Sequence, residues 1–207
     1  MRSQQLGDTG VYAEICGGIA SGKTTLAILL GQTRISSCLE NFQSNPFWKA
    51  FYADPIGTAF ETEISFLLQH YHEIKTASKQ ESAFACDFSL LLDRAYAQVT
   101  LNEEKRAAFL AVYQVIRREL PPPNLVIHLV CAPEVELERI RRRGRDVEQS
   151  ITVDYLSAIN KALAKVIKTE TGGWNVLSID SVKLDFANDE HDKQHVLELV
   201  KSRLMNC

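Results

Sequence analysis

Gly17-Gly-Ile-Ala-Ser-Gly-Lys-Thr24 is the stretch on which the fold turns. It satisfies G-x-x-x-x-G-K-[ST] at Gly17, Gly22, Lys23 and Thr24. Glycines let successive backbone amides turn inward and cradle phosphate oxygens without Cβ clashes. A helix starting at the end of such a loop adds its positive terminus. The apolar run 11–16 before the loop reads as a buried strand, and 25–31 after it reads as a helix stopped by glycine. That is the context the pattern needs. It predicts a nucleoside triphosphate held along Gly17, Gly18, Ile19, Ala20, Ser21, Gly22, Lys23, Thr24 and Thr25, with Lys23 at the terminal phosphates and the Thr24 hydroxyl on magnesium.

Working outward, short apolar runs at 35–39, 82–86, 125–131 and 176–179 read as four more strands. Helical patterning covers 58–78, 90–99, 103–120, 133–142, 153–167 and 191–205, the third of these halted by Pro121, Pro122 and Pro123. Glycine and proline punctuate 45–57, which reads as irregular. Five strands alternating with helices predict a three-layer α/β domain, a parallel sheet with helices on both faces. It spans 11–207, behind a loose polar tail at 1–10.

With 207 residues, 45% hydrophobic and 24% charged, the composition is that of an ordinary globular domain. A net charge of −3 argues against a nucleic-acid partner. Neither a secretory leader nor a membrane-length apolar run is read, so a cytoplasmic setting without membrane contact is expected. The five cysteines show no Cys-x-x-Cys spacing and suit reduced core thiols.

A second chemical signal is the run of five arginines within seven residues, Arg139, Arg141, Arg142, Arg143 and Arg145. Arg139 and Arg143 fall one helical turn apart, and Gly144 interrupts the helix. Guanidinium forks suit the spread charge of a transferring phosphoryl group. Beside a P-loop, the segment predicts an arginine-rich lid, with Arg141 and Arg142 turned to solvent. A basic face for RNA is the competing reading, and the acidic net charge weighs against it.

With these residues in place, the chain resembles the deoxynucleoside kinase family, above all its bacterial deoxyadenosine/deoxyguanosine kinase branch, from about residue 13 to about residue 204. The family's acidic segment, Asn-Pro and Phe-Tyr are similar to Glu40, Asn45-Pro46 and Phe51-Tyr52. Its Asp/Glu-Arg-Ser box resembles Asp87-Phe88-Ser89, with Asp93 at the matching distance beyond. Its lid resembles Arg139, Arg143, Gly144, Arg145, Glu148 and Gln149, and its late Asp-Phe pair resembles Asp185-Phe186 near the nucleotide's base. The resemblance implies a P-loop kinase fold, ATP and Mg2+, a nucleoside acceptor, and a homodimer formed through 58–78 and 103–120.

It implies roles as well. Glu40 is the general base for the 5′-hydroxyl, Tyr52 and Glu148 hold the sugar, and Asp87 sits near magnesium and the 5′-oxygen. Asp93 reads the base edge, and Arg139, Arg143 and Arg145 neutralise the transferring phosphate. Read without the family, Tyr52 is an ordinary aromatic, Asp87 a helix N-cap and His128 a core histidine.

Three positions depart from the pattern. Phe88 stands where the family has arginine, Glu63 where it has a base-reading glutamine, and His70 where it has a second arginine. A glutamine both donates and accepts, whereas ionised glutamate only accepts, so Glu63 with Asp93 predicts a donor-rich base such as guanine. The alternatives are a degenerate relative that binds nucleotide and serves as a binding or regulatory subunit, or a P-loop kinase for a different small-molecule acceptor.

Overall fold

The computed structural model describes residues 10–205. All of the expected tail but Gly10, and the last two residues with Cys207, lie outside them. The chain runs β1 (Val11–Gly17), α1 (Lys23–Gly31), β2 (Ser36–Cys38), α2 (Trp48–Ala53), α3 (Pro55–Gln80), β3 (Ala83–Cys86), α4 (Leu90–Thr100) and α5 (Glu103–Glu119). It continues through β4 (Leu125–Val130), α6 (Pro133–Arg143), α7 (Val153–Glu170), β5 (Val176–Asp180) and α8 (Glu190–Met205). All strand pairings are parallel, in the order β2-β3-β1-β4-β5.

The two-residue period of β1 separates the layers. Ala13 and Ile15 join Leu26, Leu30, Val196 and Val200 of α1 and α8 in one core. On the other face Tyr12 packs with Leu67 and Phe109 of α3 and α5, and Cys16 with Leu91 and Leu163 of α4 and α7. Because β1 pairs with β3 on one side and β4 on the other, the chain changes direction across the sheet at β1. Loops leaving its C-terminal end splay apart there and open a crevice.

Two helical boundaries differ from expectation, for local reasons. The helix α3 begins at Pro55, with proline in its first turn and the Asp54 carboxylate accepting from Gly57 N–H at 2.9 Å. Residues that read as punctuation are therefore its start. The six-residue α2 is too short to display a period, and it is held by tertiary packing. Phe51 is buried, and Trp48 meets Phe42 and Tyr52 edge-on at 5.0 and 6.3 Å.

Asp87 is not the N-cap of α4. Ser89 is, its hydroxyl oxygen accepting from Leu91 N–H at 3.2 Å. The same hydroxyl donates to Oε2 of the buried Glu14 at 2.7 Å, and Leu90 N–H adds a bond of 3.2 Å. Ser89→Ala removes a cap and a donor to a buried carboxyl together. It is expected to cost about 2–4 kcal/mol, read by denaturant unfolding. Freed from capping, the Asp87 side chain faces the crevice.

Candidate active site

The crevice is a cleft of 730 Å³ lined by the loop after β1, by α3 and α4, and by the end of α6. Backbone geometry explains the glycines. Gly17 and Gly22 have φ of +156° and +109°, and a Cβ on Gly17 would lie 2.7 Å from the Leu129 carbonyl oxygen. At Gly22 it would lie 3.0 Å from the Phe186 ring. That ring, buried, brings the Asp185-Phe186 pair against the loop, with Asp185 exposed at the rim. Lys23 folds back, donating from Nζ to the carbonyls of Gly17 and Gly18 at 3.0 and 2.8 Å. Burial pushes its pKa below the ordinary lysine value. Ser21 Oγ is buried inside the loop with no hydrogen-bond partner among the described residues. A cradle that only glycine permits, with an unsatisfied hydroxyl, fits a phosphate chain.

Asp87 joins this loop to the acidic half of the cleft. Its Oδ2 accepts from the Thr24 hydroxyl and its Oδ1 from Glu40 N–H, both at 2.6 Å. The Thr24 hydroxyl and the Asp87 carboxylate form an oxygen pair of the kind magnesium takes. Burial pushes the Asp87 carboxyl above its ordinary pKa.

Glu40, Asp93 and His70 converge. His70 Nε2 lies 3.0 Å from Glu40 Oε1, and Nδ1 lies 2.8 and 3.0 Å from the two oxygens of Asp93. The imidazole is 2% exposed and stacks on Phe88 at 4.2 Å with an interplanar angle of 11°. Burial alone would lower its pKa. The charge and hydrogen bond of Asp93, with those of Glu40, outweigh burial and hold it well above the ordinary histidine value. His70 is thus an imidazolium with both N–H groups donating. Burial would likewise raise Glu40, but the His70 hydrogen bond and charge, helped by Lys23 and Arg145, hold it below the usual carboxylate range. Two departures read separately in the sequence are one contact, a cation lying on the aromatic ring that replaces an arginine.

Glu63, 5% exposed, faces the same cleft from α3, with the Thr100 hydroxyl 3.1 Å from Oε1. Burial, reinforced by the charge of Asp93, pushes its pKa up to about 8. A carboxyl so shifted keeps its proton into the neutral range, and in that form it donates as well as accepts. Both Asp93 oxygens lie against His70 Nδ1, and each keeps a further lone pair.

The lid residues come together around the buried Glu148. Arg143 and Arg145 donate to its two oxygens at 2.6 and 3.2 Å, and Arg145 lies over the Phe42 ring at 4.3 Å. Arg139 instead donates to the carbonyls of Ala20 and Ser181 at 3.3 and 2.8 Å, tying α6 to the P-loop. Arg141 and Arg142 are exposed, and Arg142 also lines the rim of the cleft. Tyr52 lines it too, half-buried, its hydroxyl pKa raised by burial and then by Glu148. His128 sits on β4 away from the cleft, its pKa lowered by burial. Sequence reading missed Glu136. Buried on α6, it accepts from Asn160 at 3.2 Å, and burial raises its pKa to about 7. Its Oε1 stands where a Cβ on Gly18 would be, at 2.1 Å. The Pro-Glu-Val-Glu run resembles any solvated first helical turn, so nothing marked it.

A glycine-built phosphate cradle, a threonine–aspartate oxygen pair and an arginine lid on a parallel sheet define a P-loop phosphotransferase. The chain belongs to the deoxynucleoside kinase family, whose description "Deoxynucleoside kinase" matches residues 14–205. It is 26% identical to a deoxyguanosine kinase of Bacillus subtilis over 206 residues, 96% of this chain and 100% of that one. To a deoxyguanosine kinase of Dictyostelium discoideum it is 31% identical over 175 residues, 79% of this chain and 61% of the other. A deoxyadenosine kinase from M. mycoides, solved with the products dCMP and dCDP, shares the fold with a TM-score of 0.78 at 22% identity, covering 95% of this chain and 100% of its own. The enzyme is a kinase of the deoxynucleoside type. No helix among the described residues is long and apolar enough to cross a membrane.

Proposed function

We propose that this chain transfers the γ-phosphoryl group of ATP, with magnesium, to the 5′-hydroxyl of a deoxynucleoside, Glu40 being the general base. The observation that carries the reading is Asp87, which binds the Thr24 hydroxyl with one oxygen and Glu40 N–H with the other. One rigid carboxylate thereby ties the phosphate side of the cleft to the base. Lys23 and the amides of residues 17–25 would hold the triphosphate, and Thr24 and Asp87 the magnesium, which supplies charge neutralisation. Glu40 Oε1 is occupied by His70, leaving Oε2 to take the hydroxyl proton. Phosphoryl transfer asks mainly for positioning, so a base that is weak but ionised and fixed suffices. Tyr52 and Glu148 would orient the sugar, while Arg139, Arg143 and Arg145 would neutralise the transferring phosphate. The deoxyguanosine and deoxyadenosine kinases among the relatives support a purine deoxynucleoside as acceptor.

The test is phosphorylation of a deoxynucleoside panel with ATP and magnesium. Lys23→Ala is expected to lower kcat by about 10²–10³-fold, since it removes a charged donor from the transferring group. Nucleotide binding without turnover on any deoxynucleoside would instead establish the binding-subunit alternative. We also propose a homodimer through α3 and α5, supported by the exposed Leu68 and Val115 on those helices and read by sedimentation. A cytoplasmic setting accords with the free thiols of Cys16, Cys38, Cys86 and Cys131.

A further inference from the structure

We propose that Glu63 reads the nucleobase as a neutral carboxylic acid, offering one donor and one acceptor as a primary amide does, and that its ionisation narrows the enzyme to guanine. The inference deepens the proposed kinase reading and rests on it. Glu63 is buried, and its one hydrogen-bond partner among the described residues is a hydroxyl. Even that donor is shared. Thr100 has a single hydroxyl hydrogen and a nearer acceptor, the Tyr96 carbonyl at 2.9 Å against 3.1 Å for Glu63 Oε1. A carboxylate left with half of one neutral donor is poorly compensated for leaving water, whereas the neutral acid needs far less. The contact with Thr100 also marks Oε1 as the acceptor oxygen, leaving Oε2 to carry the hydrogen.

The charged and titratable groups around Glu63 act in the same sense or are already engaged. From α4 come Asp93, an anion, and Tyr96; from α7 comes Tyr155. The cation that acts on it is His70 on its own helix, and both its N–H groups are directed at Asp93 and Glu40. Of the helices that also pack on α3, α5 brings Lys105, whose Nζ lies over the Phe60 ring at 5.9 Å, one turn before Glu63. The pKa of about 8 agrees with this arrangement.

The consequence for recognition follows from base chemistry. Adenine, cytosine and guanine each present a donor beside an acceptor on the pairing edge, and a neutral acid can pair with any of them. A carboxylate needs two adjacent donors, which among these bases only guanine offers, from N1–H and the 2-amino group. Against adenine or cytosine it faces an acceptor lone pair.

The experiment measures kcat/KM for deoxyguanosine and deoxyadenosine from about pH 6.5 to about pH 9, with wild type and Glu63→Gln. In wild type the deoxyguanosine-to-deoxyadenosine ratio is expected to rise about tenfold between about pH 7 and about pH 9, as the neutral fraction falls. In Glu63→Gln, whose amide does not titrate, the ratio stays flat. A flat ratio in wild type overturns the proposal while leaving the kinase reading intact. Infrared difference spectra of wild type against Glu63→Gln test it without turnover. A protonated-carboxyl C=O band belonging to Glu63 is expected near neutral pH, fading towards about pH 9. Its absence at neutral pH overturns the proposal even if no nucleoside is phosphorylated, an outcome that would separately remove the kinase reading.

Discussion

Glu40→Gln is expected to lower kcat by about 10²–10⁴-fold while leaving the affinity for ATP and the nucleoside within a few-fold of wild type. The replacement is nearly isosteric. Its amide oxygen can still accept from His70 Nε2, which in the wild type lies 3.0 Å from Oε1. The backbone bond from residue 40 to Asp87 does not involve the side chain at all. What disappears is the capacity to take a proton from the acceptor hydroxyl in the transition state, so the loss belongs in kcat. Because His70 holds the Glu40 carboxyl below the usual carboxylate range, the wild-type base stays ionised throughout the neutral region. Its titration therefore places no acid limb in the kcat profile near neutrality. Steady-state kinetics of the two proteins decide the matter. A Glu40→Gln enzyme within tenfold of wild type would mean that another group, or none, accepts the proton.

The parts of this site that sequence reveals are those whose geometry is local. Gly17 and Gly22 occupy backbone conformations that demand glycine, and Lys23 and Thr24 follow at fixed offsets on one turn of helix, so eight residues announce their own shape. Arg143, Arg145 and Glu148 are likewise close neighbours in the chain, and they meet in space. Asp87 is harder to read. Its position became meaningful only when β3 placed it beside β2, with Glu40 N–H and the Thr24 hydroxyl within reach. Phe88 and His70 show the limit. Each reads alone as the loss of an arginine, and only the packing of α3 against the segment between β3 and α4 shows one ring lying on the other. Glu63 shows a second limit, since a sequence names a carboxyl but not its protonation. That depends on burial and on the neighbouring charge of Asp93, both products of the tertiary fold.

His70→Ala is the other substitution with a large expected effect, and it acts on stability and rate together. In wild type one imidazolium is hydrogen-bonded to Asp93 and Glu40, the first carboxylate nearly as buried as the histidine itself. Removing the cation leaves Asp93 uncompensated, a change that typically costs about 3–5 kcal/mol. It also removes the group that fixes Glu40 Oε1, so the surviving fraction should show a lowered kcat. The pH dependence separates charge from packing. His70 has a folded pKa well above its unfolded value of about 6.5, so the stability it contributes is fully present below about pH 6.5 and declines as pH rises through the folded pKa. Glu40 works in the opposite direction. Its folded pKa is depressed, so its contribution is present above the unfolded value of about 4.3 and is lost as pH falls through the folded one. Between these limits the cluster contributes a plateau. Urea unfolding of wild type and His70→Ala across the mildly acid to alkaline range should therefore show a difference that is constant at first and narrows towards high pH. His70→Gln, which keeps a side chain on Phe88 without the charge, should recover the packing but not the charge, with little pH dependence of its own in this range. If the gap between wild type and His70→Ala stayed constant into alkaline solution, His70 would be a neutral packing residue, and the ionic account of this cluster would fall.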